Sequence, residues 1–176
     1  ALDDSSLRVP TTTVPDSQNG LIRLEKIDGK ALKFEEYALN QGAHIEHVEE
    51  LLNLHAHDDA LVTGYLAQAQ PELDEILACF AQPYFEYPGL ENPTQEILKP
   101  AQYEALLLAE EAVVLRGQLA YTHRDFAQTV AAITELRHMS SCMIEGYPIE
   151  IEILYAARAN ERAGGLALEL INEASL

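Results

Sequence analysis

Apolar positions along the chain recur every three or four residues, the spacing of one face of an α-helix. Leu21, Ile22, Leu24 and Ile27 predict a first short helix, capped by Asp16 or Ser17 and ended by Asp28-Gly29. A second helical piece over 31–39 stops at Asn40-Gln41-Gly42. Ile45, Val48, Leu51, Leu52 and His55 then fall on one side of a helix over 43–56. Asp58 or Asp59 starts the next helix, which runs to about residue 81 through Leu61, Tyr65, Leu66, Leu73, Ile76, Leu77 and Phe80. Pro71 supplies no backbone N–H and is expected to break or kink this helix near Gln70.

The stretch 100–122 carries two apolar faces. Ala101, Ala105, Leu108, Ala112, Leu115 and Leu119 repeat at heptad spacing, and Leu106, Leu107, Val113, Val114 and Gly117 cover the adjacent side. A helix apolar on two sides is central, and its polar stripe reduces to Glu104, Glu111, Gln118 and Thr122. The short link 121–125 forces the next helix antiparallel, with Asp125 as its cap and Phe126, Val130, Ile133 and Leu136 inward. A last helix runs from about Pro148 through Ile149, Ile153, Ala156, Ala163, Ala167 and Leu170. Gly164-Gly165 inside it costs about 1 kcal/mol per glycine unless the pair permits close helix packing.

Two segments do not read as helix. Residues 1–16 hold Val9-Pro10, three threonines and Val14-Pro15, a composition suited to an extended tether, so 17–176 is read as the single domain. Residues 83–100 hold prolines at 83, 88, 93 and 100 around Tyr84, Phe85 and Tyr87 and are read as a crossover loop. These rings either seal the edge of the bundle or contact a partner.

Composition agrees with an all-α multi-helix bundle, since Ala and Leu outnumber Val and Ile. With 29 acidic against 11 basic residues the formal charge is −18, which repels nucleic acid and anionic membrane surfaces. No run reaches the roughly 18 apolar residues of a membrane span, so direct insertion of this segment is not expected. Cys79 and Cys142 show no metal or redox spacing and read as core thiols, with a disulfide left open for an oxidising compartment.

The densest candidate chemistry is His44, His47, His55 and His57 with neighbouring carboxylates. On a helix, His44, His47 and His55 lie within about 80° of one another, a geometry that admits zinc or another divalent metal. His55 stands about 12 Å along the axis from His47, so a zinc on His44 and His47 needs ligands from another helix. The bland alternative is packed or boundary histidines on the face that carries Val48 and Leu51. The run 55–60 resembles the ligand run of metallo-β-lactamase-like hydrolases but ends in Ala60 where that family has His. Glu135 and His138 have the spacing of a di-iron ligand pair, without the second copy such a site requires, and read as an exposed helix side. Ser140-Ser141-Cys142 lacks a nucleophile elbow and reads as a helix terminus. No catalytic residue and no cofactor motif is assigned.

Glu111 to His138, with Gly117 in the first helix and Arg124-Asp125-Phe126-Ala127 at the turn, resembles a tetratricopeptide-type helix pair. Thr129 stands where that family has a small Ala, and no second copy follows at a period of about 34 residues, so the resemblance implies one antiparallel hairpin in the C-terminal half. The order of features over nearly the whole chain, from the Val-Pro-rich tether to Pro15-Asp16 with Asn19 and the late Asp turn, also resembles uncharacterised bacterial exported or membrane-anchored helical proteins. That resemblance implies an extracytoplasmic, periplasmic location with an anchor upstream of Ala1. The function expected is a non-enzymatic interaction or scaffold domain that presents a helix groove, or Tyr84, Phe85 and Tyr87, to a protein or peptide. The alternatives are a metal-binding protein or enzyme using His44, His47, His55 and His57, and a structural domain that associates with its own copy.

Overall fold

The computed structural model describes residues 15–43, 59–85, 100–145 and 150–174. They form six α-helices: α1 (Gly20–Leu24), α2 (Phe34–Asn40), α3 (Asp59–Phe80), α4 (Pro100–Thr122), α5 (Phe126–Glu145) and α6 (Glu150–Ala174). Two single 3₁₀ turns, Asp16–Gln18 and Lys30–Leu32, precede α1 and α2. Among the described residues there is no strand, only a parallel bridge between Asn19 and Tyr84. The all-α bundle expected from the periodicity is what forms. The expected tether apart from Pro15 and Asp16, the expected helix over 43–56 apart from Ala43, and most of the Pro-rich crossover lie outside the described residues.

Burial around the circumference puts α4 at the centre. Ala112, Val113, Val114 and Leu115 are four consecutive buried residues, which no surface helix can have at 3.6 residues per turn. The helix packs on α3, α5 and α6. Gln118, read as part of a polar stripe, is also buried at the centre. The reading of 118 as surface was therefore wrong: three flanking helices leave α4 too little solvent-facing surface for that stripe.

The α4–α5 turn follows the cap chemistry of its residues. Arg124 takes the left-handed conformation at φ 59° that closes α4. Asp125 Oδ1 then accepts the backbone N–H of Gln128 at 3.1 Å and starts α5. The inward face of α5, however, is Thr129, Ala132, Leu136, Met139 and Met143. Phe126 and Val130, expected inward, are 42% and 52% exposed. Gly117 is the cause. A Cβ added there would lie 2.9 Å from both Ala132 Cβ and Leu166 Cδ1, so the missing side chain lets α5 and α6 close onto α4 at this point. Thr129 fills that place and donates its hydroxyl to the Asp125 carbonyl at 3.0 Å.

Further sequence expectations are corrected by the packing. The helix α3 runs through Pro71 without a break. Pro71 and Ala67, the residue whose carbonyl loses its N–H partner, both lie on the exposed side, where water replaces the missing bond. Buried side chains on either side, from Tyr65 to Ala69 and from Leu73 to Phe80, hold the two halves in one line. Asn19, not Asp16 or Ser17, caps α1 by accepting Leu21 N–H at 3.1 Å. Ser140 ends no helix, since α5 continues to Glu145.

In the N-terminal part, Glu72 of α3 accepts the backbone N–H groups of Gly29 at 2.9 Å and Ala31 at 2.6 Å, pinning the second 3₁₀ turn. Tyr65, fully buried, donates its hydroxyl to the Leu32 carbonyl at 2.8 Å and meets the Phe34 ring edge-on at 4.8 Å.

Gly164 and Gly165 lie within α6, and a Cβ on either meets nothing within 4 Å. They serve no close packing. Gly165→Ala is therefore expected to stabilise the protein by about 0.5–1 kcal/mol, read as a higher urea midpoint at unchanged slope.

Candidate functional site

Three groupings of chemically capable side chains are present, and each is set by helix register. The first lies between α4 and α6. Arg158 and Arg162, four residues apart on α6, reach the consecutive Glu110 and Glu111 of α4. Arg162 Nε is 3.0 Å and Arg158 Nε 3.4 Å from Glu110 Oε1. Arg158 Nη2 is 2.9 Å from Glu111 Oε1. Glu110 is only 1% exposed. Its Oε1 sits beside both guanidinium groups without an aligned hydrogen bond. Burial pushes its carboxyl up to about 7 against the opposing pull of Arg162 and Arg158. A carboxyl poised near neutrality is the kind of group active sites use. At this burial the carboxyl faces the two guanidinium groups inside the fold and sets α6 against α4.

The second grouping joins α5 to the end of α3. His138 Nε2 is 3.0 Å from the Phe80 carbonyl oxygen. Because a carbonyl only accepts, Nε2 is the donor in this contact. Cys142 Sγ lies 3.8 Å from Nε2 and 3.9 Å from Nδ1, nearly equidistant, so the sulfur is not aligned on Nδ1. That geometry fits a packed thiol and not a nucleophile with its base. Glu135, the other half of the Glu-x-x-His spacing, is ion-paired with Arg116 of α4. Cys79 and Cys142 are both free thiols, and burial pushes Cys79 up to about 11. Ser140 is buried, donates to the Ala156 carbonyl at 2.9 Å and accepts from Asn160 Nδ2 at 2.8 Å, tying α5 to α6.

The third grouping is apolar and faces water. The start of α5 lies beside the end of α6, because Tyr121 donates its hydroxyl to the Glu169 carbonyl and its ring stands 6.5 Å from that of Phe126. Phe126 and Val130 on α5 and Leu168 and Ile171 on α6 are 42%, 52%, 61% and 60% exposed. Four large apolar side chains in one neighbourhood form a strip of the kind that marks an interaction surface. Leu168 and Ile171 had no place in the sequence reading, which followed the alanines of α6. The signal available was the charge-free run 126–134, in a chain of which 23% is charged.

The rings expected to meet a partner divide. Phe85 stacks on Phe80 at 4.7 Å and packs against the core. Tyr84 is 39% exposed, and its backbone is held to that of Gln18 and Gly20. Tyr87 lies outside the described residues, as do His44, His47, His55 and His57. Among the described residues no three His, Cys, Asp or Glu side chains gather as a metal-holding group. Among them, too, no helix is long and apolar enough to cross a membrane. Comparison with protein-family models, with curated proteins and with solved structures returns no match for this chain.

Proposed function

We propose that this chain is a non-enzymatic interaction or scaffold domain whose docking face is the exposed apolar strip of α5 and α6. The observation that carries the reading is the exposure of Phe126, Val130, Leu168 and Ile171 in one neighbourhood, on helices whose opposite sides are fully packed. Rigidity supports it as well. The strip stands on two long helices cross-tied by Ser140 and Asn160, with Tyr121 of α4 bonded to the end of α6, so little ordering is left to cost affinity on binding. The titratable groups described above are buried or already paired, which leaves them engaged in the fold and not in turnover. The Val-Pro-rich composition of 1–16 supports a domain held on a tether, and the resemblance to exported or membrane-anchored helical proteins supports a place outside the cytoplasm.

A photo-crosslinking amino acid placed at Val130 or Leu168 in the native host is expected to trap a discrete protein adduct. The same probe at Gln68, exposed on α3, is expected to trap none. Equal labelling at all three positions would remove the assignment of the strip.

A further inference from the structure

The charge distribution around the strip identifies what covers it. We infer that the partner seated on the α5–α6 strip is a second copy of this chain, in a two-fold contact; the inference rests on the strip being a docking face. Residues 126–134 contain no charged side chain, and 163–172 contain only Glu169. The whole chain meanwhile carries 29 acidic and 11 basic residues. A cationic partner is met by a face lined with carboxylates, because their field both steers it and pairs with it. Two copies that each carry −18 can approach only where such groups are missing, and the strip is such a place.

Symmetry points the same way. In a two-fold contact a surface faces itself, so every like charge on it is set against its own copy. A strip of Phe126, Val130, Leu168 and Ile171 carries no such conflict. Gly164 and Gly165, one turn before Leu168, leave the α6 surface low beside that ridge, with open space where a Cβ would stand. A ridge next to a depression on the same face is what a self-complementary contact requires.

Size sets the strength. Nine or ten helical residues extend about 14 Å, and two adjacent helices are about 20 Å wide, so the strip covers on the order of 300 Å² per copy. A standard stable interface buries about 800 Å² per partner. The pairing is therefore weak and reversible, and is occupied where the local concentration is high.

Sedimentation of the full chain over micromolar to millimolar concentrations tests this. The mean mass is expected to rise toward twice that of one chain. Raising the salt from about 50 mM to about 500 mM is expected to tighten the association, because it screens the repulsion between two anionic molecules. Val130→Glu and Leu168→Glu are each expected to weaken it at least tenfold, while Gln68→Glu, the same added charge on α3, leaves it within about twofold. All three positions are exposed, and unchanged helical circular dichroism and melting temperature would confirm that folding is intact. A single-chain mass at every concentration overturns the inference, as does association that weakens with salt or ignores both strip variants. A single-chain mass together with a crosslink from Val130 to a different protein overturns the second copy but keeps the docking face. Neither dimer nor crosslink removes both.

Discussion

Gly20→Ala is expected to lower the unfolding free energy by about 3 kcal/mol. A Cβ at Gly20 would overlap the carbonyl oxygen of Cys79, lie 2.7 Å from that carbonyl carbon and come within 2.9 Å of Phe85 Cδ2. None of these atoms is free to yield. The Cys79 carbonyl accepts the N–H of Gln82 at 3.2 Å, Phe85 is stacked on Phe80, and Gly20 donates its own N–H to the Tyr84 carbonyl at 2.8 Å. The variant must therefore lift α1 off the end of α3 and expose part of Leu21 and Leu24, now 4% and 0% exposed. In a chain of this length the loss corresponds to a fall in melting temperature of about 6–12 °C. Gly64→Ala is the comparison: its Cβ would meet only the hydroxyl end of Tyr37, which can rotate aside, and alanine is the better helix former. Urea and thermal unfolding of the two variants should separate them clearly. Equal destabilisation would mean that the α1–α3 contact is not the rigid feature described.

Arg162→Met is expected to show a defect that grows with pH. In the folded parent the Glu110 carboxyl is pushed up to about 7 from an ordinary value of 4.5, burial being the main cause. A raised carboxyl favours the fold while protonated, so its contribution is complete below about pH 4.5 and declines as the pH rises toward 7. Above that point the parent's contribution levels off, because Glu110 ionises between Arg162 and Arg158. Without Arg162, the strongest opposing influence on that carboxyl, the folded group holds its proton to higher pH and the decline continues. The gap between parent and variant should be small at pH 6. It should then widen by up to about 1.4 kcal/mol per pH unit above neutrality, until the variant's carboxyl ionises in turn. Since protonation remains open to the carboxyl, the cost follows this linkage and not the full penalty of a buried bare charge. Denaturant unfolding at pH 6, 7.5 and 9 measures it. The same substitution in a Glu110→Gln background should show a pH-independent effect, and a widening gap there would assign the dependence to another group.

Local sequence was enough for the bounds of the two helices that carry the core and for the turn between α4 and α5. The bounds of α3 and α4 fall at Asp59, Phe80, Pro100 and Thr122, close to where they were read, and Asp125 caps α5 as expected. Each of these depends on residues within a turn of one another: a cap, a proline in the first turn, an apolar repeat. The centrality of α4 was legible for the same reason, because a helix apolar on two sides needs cover on two sides.

What the tertiary structure alone decided was which way each helix faces. The segment 126–143 contains two apolar stripes about 120° apart, one through Phe126 and Val130 and one through Thr129, Ala132, Leu136 and Met139. Hydrophobicity favours the first, yet the second is buried, because Gly117 lets α4 approach closely enough for Thr129 and Ala132 to face it. That choice turns Phe126 and Val130 outward and creates the strip. Glu110 was equally hidden, as Glu110-Glu111 reads as surface until α6 supplies Arg158 and Arg162 across from it. Helix formation is governed by neighbours three and four residues away, so the chain determines it locally. Helix orientation is governed by the shape and charge of a partner tens of residues distant, and only the assembled bundle brings that partner into contact.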